Sequence, residues 1–196
     1  MVFVNYPLTL RIQIFSLSAK IEAVDAQHQP VCFVRKNRFK FREHVTVFTG
    51  SPPRAPLCEI RSEPTADYPV RYSFTAAQGE NLGAVARGNS LHPFPYFVQD
   101  QVGIPVYEIW PRNPKTRNVD RFLSRFPLVR LLSAYVLHPA LSIRTLGQQE
   151  VFFLQKRAAP LESRYLLKPS QNAPFLSQSE ELRLLMAVLM TVFLEG

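Results

Sequence analysis

Seven cations in this chain stand at spacings suited to gripping an anion. In VRKNRFKFRE, residues 34–43, Lys36, Arg38, Lys40 and Arg42 occupy alternate positions. Alternate residues of a strand share a face, so the four form a positive row on an outward surface. Phe39 and Phe41 fall on the opposite face and anchor the strand to a core. Further on, Arg117, Arg121 and Arg125 recur every four residues, which is one side of a helix. Val119, Phe122, Leu123 and Phe126 line the other side, Asn118 is placed to cap the start, and Pro127 ends it. The expectation is a short basic amphipathic helix near 118–127. Both features also have a plainer use. Lysine and arginine on an edge strand discourage aggregation, and an amphipathic helix can close one end of a β structure. The sharper use is contact with phosphates, where such a helix can also lie in a membrane interface.

Other chemistry has less to stand on. Neither G-x-x-x-x-G-K-[ST] nor G-x-G-x-x-G occurs. Gly88-Asn89-Ser90-Leu91-His92 lacks the closing glycine of a nucleophile elbow. His28, His44, His92 and His138 stand apart, without metal-ligand spacing. Asp25, Asp100 and Asp120 are carboxylates that a fold would have to gather before they could act together. The adjacent pair Glu180-Glu181 sits at a helix start, where carboxylates suit the dipole. Cys32 and Cys58 both lie in apolar, strand-like surroundings, and two thiols are too few for a structural zinc site. They read as buried free thiols. The expectation is a non-catalytic protein with no cofactor and no metal.

The element around which the rest is organised is the last, Ser177 to Leu194. Between Leu182 and Leu194 only Arg183 and Thr191 are polar. A surface helix keeps a wet face; this one has none past its first turn, so it should be enclosed. Ser177 and Glu180 have the capping-box spacing that marks its start. A membrane span needs about 20 apolar residues, more than this run supplies, and no basic flank follows it. Burial of a helix at 179–194 inside protein is therefore expected, without a transmembrane span.

Around it the chain reads as strands. Apolar or alternating runs occur at Val2–Phe15, Ala19–Val24, Val31–Val34, Val45–Phe48, Leu57–Arg61, Val70–Thr75, Leu82–Arg87, Ile104–Trp110, Ala140–Arg144, Val151–Lys156 and Ser163–Leu167. Many of the 17 prolines fall between these runs. One hairpin reads as built twice: Val24–Val34 aligns with Gln99–Ile109, placing Asp25 on Asp100, Pro30 on Pro105 and Val31 on Val106. A chain of 196 residues fits one domain, 1–196, with a β structure wrapped around its terminal helix. Its net charge of +8 and pI near 9.8 favour anionic partners, whether lipid headgroups or nucleic-acid phosphates. MVFVNYPLTLRIQIF lacks the basic n-region and cleavage site of a signal peptide, so the expected location is cytoplasmic, peripheral at a membrane.

Several segments, in this order, resemble the tubby-like superfamily in its phospholipid-scramblase and LURP-one-related branch. They are the hairpins at Asp25–Val34 and Asp100–Ile109, the basic VRKNRFKF, then GENLGAVAR, VFFLQKRAAPLESRYLL and SEELRLLMAVLMTVFLE. The likeness runs from about Lys20 onward. It implies a closed twelve-stranded antiparallel barrel threaded by a hydrophobic C-terminal helix. Tubby-type domains bind phosphoinositides through basic barrel residues, scramblases are associated with calcium-dependent lipid movement, and the plant branch has no settled chemistry. Scramblase relatives carry an acidic calcium segment before the terminal helix; KPSQNAPFLSQ stands here, without Asp or Glu. The cysteine cluster used for acylation and the Pro-rich N-terminal tail are also missing.

The reading favoured by all of this is a basic barrel that binds anionic phospholipid headgroups through Lys36, Arg38, Lys40 and Arg42, assisted by Arg117, Arg121 and Arg125. Nucleic-acid phosphate binding by the same cations is the second reading. A scramblase-like protein without the calcium segment, and an enzyme or carrier with a pocket in the barrel, are further alternatives.

Overall fold

The computed structural model describes residues 5–13, 18–37, 44–50, 53, 55–63, 70–88, 95–112, 140–157, 159 and 162–195. Twelve strands form one closed barrel. They are β1 (Leu8–Gln13), β2 (Ser18–Val24), β3 (Pro30–Asn37), β4 (His44–Thr49), β5 (Pro56–Glu63), β6 (Arg71–Ala76), β7 (Asn81–Arg87), β8 (Tyr96–Gln99), β9 (Pro105–Pro111), β10 (Ala140–Thr145), β11 (Glu150–Arg157) and β12 (Ser163–Pro169). Each strand pairs antiparallel with its neighbours in sequence, and β1 closes the ring on β12. A single described helix, α1 (Gln178–Glu195), follows. The expected closed barrel with a C-terminal helix is thus observed. The expected helix near 118–127 lies outside the described residues.

Alternation decides which side chains fill the bore. Leu8, Leu10 and Ile12 point inward from β1, and their partners Leu167, Tyr165 and Ile21 continue the row around the ring. Helix α1 runs through the middle. From Leu184 to Val192, nine consecutive residues, none is more than 4% exposed. A run of that kind, covering every face of a helix, exists only where the helix is surrounded. It packs closest to β7, flanked by β6 and β8. The smallness of Gly83 on the inner face of β7 permits that approach: a Cβ there would lie 3.1 Å from Arg183 Nε of the helix. Among the described residues no helix is long and apolar enough to cross a membrane.

The hairpin recognised twice in the sequence is built four times. In Asp25–Gln29, Ala76–Glu80, Asp100–Ile104 and Thr145–Gln149, the first residue's N–H donates to the fifth residue's carbonyl, at 2.8–3.0 Å. The fourth residue's N–H donates back to the first carbonyl, at 2.9–3.2 Å. The fourth residue takes positive φ each time: His28 60°, Gly79 86°, Gly103 90° and Gln148 66°. This is a three-residue hairpin loop closing on a left-handed bulge residue, and a register shift lies just inside each turn. Asp25 and Asp100 brace their turns by accepting two backbone N–H groups each on Oδ1, at 2.8–3.0 Å. They do not meet: the β2–β3 and β8–β9 turns are six strand positions apart in the ring. Asp120 lies outside the described residues. One strand, β8, has no counterpart among the runs read from the sequence, since four residues directly after His92-Pro93-Phe94-Pro95 are too few to show a period.

Candidate anion-binding rim

An antiparallel barrel sorts its connections by parity. Every even-to-odd connection, together with the link from β12 to α1, leaves from one end, which we term the turn rim; every odd-to-even connection leaves from the other. Both basic segments belong to the second set. Residues 38–43 join β3 to β4 and residues 113–139 join β9 to β10, so their flanking strand ends lie on the same rim. Those two junctions are six strand positions apart in a ring of twelve, on opposite sides of the mouth.

Arg38, Lys40, Arg42, Arg117, Arg121 and Arg125 lie outside the described residues, as does the side chain of Lys36. The backbone at position 36 pairs with Ala19.

The described residues add two cations at this rim that sequence reasoning passed over. Arg87 ends β7 in the row of Val85, and its Nε is buried without a hydrogen-bond partner. A buried N–H in that condition calls for an explanation; a bound anion is one. Arg112, just past β9, sets its guanidinium 4.7 Å from the centre of the Phe153 ring. The signal for Arg87 was legible in principle: it is a cation in phase with an apolar strand face.

Several cations on the barrel wall are already engaged, whereas Arg11 Nε of β1, like that of Arg87, is buried without a hydrogen-bond partner. Arg71 reaches both Glu63 and Gln99, Arg61 lies on Glu59 and Arg164 on Glu162. Arg144 donates to Ser142 and Gln148, in a network that extends through Gln148 to Glu108 and through Ser142 to Glu150. Arg61 and hydrogen-bonded His44 together hold the Glu59 carboxyl below its usual range. Cys32 and Cys58 are buried free thiols, as expected, and burial pushes each up to about 12. Among the described residues no three His, Cys, Asp or Glu side chains gather where they could hold a metal ion.

The opposite mouth is plugged by the start of α1. Ser177 and Glu180 form the expected capping box: Ser177 N–H and Oγ–H donate to Glu180 Oε2 at 2.9 and 2.6 Å, and Glu180 N–H donates back to Ser177 Oγ at 3.4 Å. Tyr107 O–H donates to Glu180 Oε1 at 3.1 Å, which ties the helix start to β9. Burial first, then the Glu180 charge, push the Tyr107 phenol up to about 12. Arg183, 6% exposed, donates from Nε to the Leu82 carbonyl of β7.

The hydrogen bonds from Ser177 hold the Glu180 carboxyl below its usual value, with Tyr107 and Arg183 adding to the effect. A depressed carboxylate stabilises the fold above its unfolded pKa and loses that contribution as pH falls through its folded pKa. Glu180→Gln should therefore cost about 1 kcal/mol at neutral pH, the scale of a lost cap. The gap from wild type should close below about pH 4, as checked by urea titrations across that range.

No family model and no curated protein matches the sequence. Among solved structures, the fold is similar to an X-ray structure of a protein from Arabidopsis thaliana. The match covers 97% of this chain and 94% of that one, with a TM-score of 0.52 and 12% sequence identity. At that identity the likeness speaks for the fold alone.

Proposed function

We propose that this chain is a tubby-like barrel of the LURP-one-related kind, and that it binds anionic phospholipid headgroups end-on at a membrane surface without catalysing a reaction. One observation carries the reading: the uneven placement of charge along the barrel axis. The four hairpin turns and the link from β12 to α1 contain no Lys or Arg, and the remaining connection at that end, β4 to β5, contains one, Arg54. The two richest basic segments enter the chain at the opposite rim, on both sides of the mouth, and Arg87 joins them there. Cations on two sides of one rim favour an extended anionic surface over a single small ligand. Lys36, Arg38, Lys40 and Arg42 on one side, with Arg117, Arg121 and Arg125 on the other, contact headgroup phosphates, each worth on the order of 1 kcal/mol near the surface.

The test is co-sedimentation with vesicles. Binding is expected to phosphatidylserine- or phosphoinositide-containing vesicles at low salt, to fall as salt screens the contact, and to be absent with phosphatidylcholine alone. Changing Arg117, Arg121 and Arg125 together to Gln should weaken it about 100-fold. No sedimentation with anionic vesicles at low salt overturns the reading. Retention of DNA or RNA at matched salt, with none of lipid, moves the same cations to nucleic-acid phosphates.

A further inference from the structure

We propose that the sector of the turn rim between β8 and β12 is a self-association surface that joins two copies of this chain rim to rim. Four large apolar side chains project there: Val102 (79% exposed), Ile104 (59%), Leu146 (52%) and Phe175 (99%). Turn geometry does not require them. The β2–β3 turn has the same backbone bonds, the same aspartate brace and the same positive-φ position, and at the places of Val102 and Ile104 it carries Gln27 and Gln29. The β6–β7 turn has Gln78 and Glu80 there. One backbone design with polar residues in two copies and apolar tips in a third indicates that the tips serve something outside the turn.

The platform beneath them is rigid. Asn81 Nδ2 donates to the Gln101 carbonyl at 2.7 Å, joining the β6–β7 and β8–β9 turns. Gln148 Nε2 donates to Glu108 at 2.6 Å, and Gln149 Nε2 to the Asn172 carbonyl at 2.8 Å, tying the β10–β11 turn to β9 and to the link that carries Phe175. Apolar groups held ready on a fixed frame lose little freedom on binding.

The partner follows from charge and chemistry. The turns and link of this sector contain no Lys or Arg, and Asp100 is spent bracing its own turn. The bordering cations, Arg144 and Lys168, belong to the walls of β10 and β12, so an acidic partner finds little to pair with at the tips themselves. A second copy, also at +8, approaches this end with its two basic segments farthest away. An isologous contact needs a self-complementary patch. Apolar tips meet apolar tips, and the side-chain amides of Gln171 and Asn172 both donate and accept. Four side chains fall short of the ~800 Å² per partner of a stable interface, so the dimer is a weak one.

Sedimentation velocity of the full chain over a concentration series tests this. The expected result is a concentration-dependent monomer–dimer equilibrium that persists at high salt. Val102→Gln with Ile104→Gln, residues borrowed from the sibling turn, should leave the melting temperature unchanged and weaken the dimer about tenfold or more. Phe175→Ser, at a fully exposed position, should weaken it independently. A monomer at every concentration overturns the proposal, as does a dimer untouched by both variants. Binding to phosphatidylcholine vesicles that the double variant abolishes assigns the tips to lipid and overturns it too. Loss of anionic-vesicle binding with the dimer intact bears only on the basic rim.

Discussion

A chain ending at Ser177 should show no cooperative unfolding transition. Eight strands enclose a bore just filled by their own side chains; twelve enclose a wider one. A helix with its side chains measures about 10–12 Å across, and here one occupies that space. Each large apolar side chain buried in it contributes about 1.5–3 kcal/mol. Leu184, Leu185, Met186, Val188, Leu189, Met190 and Val192 are all buried from the helix side alone. Their sum, roughly 10–21 kcal/mol, is as large as the whole net stability of about 5–15 kcal/mol typical of a domain, before counting the barrel residues they cover. A finer test is Leu189→Ala, at a position that is 0% exposed. It should lower the unfolding free energy by about 2–5 kcal/mol in urea. Phe175→Ser in the adjoining link should stay within about 0.5 kcal/mol. A truncated chain that still melts cooperatively would mean that the strands close without their filling.

Much of this architecture was legible because it rests on side-chain period. Strands such as β6, whose burial alternates along its whole length, announce themselves. Helix α1 was legible for the opposite reason, the absence of any period in its polarity, and Ser177 with Glu180 marked its start. The hairpin repeat was half legible. Sequence comparison detects Asp25 against Asp100, but Ala76 and Thr145 hold the same corner of the same turn without resembling either. Backbone hydrogen bonds and one positive φ make that turn, and several residue types satisfy both. The basic segments were legible as charge and spacing, whereas their shared rim follows from the parity of the connections, which no local pattern contains.

Gly83→Ala should be the most damaging single-methyl change among the described residues. A Cβ at position 83 would stand 2.2 Å from the Gln99 carbonyl oxygen, with Arg183 Nε and the Asp100 carbonyl carbon at 3.1 Å. The first contact is with backbone, so no rotamer relieves it. Neither strand can step aside: β7 is paired on one edge through Phe74↔Gly83 and on the other through Ala84↔Gln99. The residue also sits at φ +114°, where L side chains are strained. The same shift would disturb the bond from Arg183 to the Leu82 carbonyl, which fastens the helix to this wall. A loss of about 4 kcal/mol or more is expected, in the range reserved for a few named mechanisms. Gly79→Ala separates the two causes. Gly79 has φ +86°, but a methyl group there would meet nothing within 4 Å, so only backbone strain of about 1–2 kcal/mol applies. Urea midpoints of the two variants decide the matter: equal losses would leave φ as the whole cause, whereas a much larger loss at Gly83 identifies the closeness of β7, the β8–β9 turn and the helix as what forbids a side chain there.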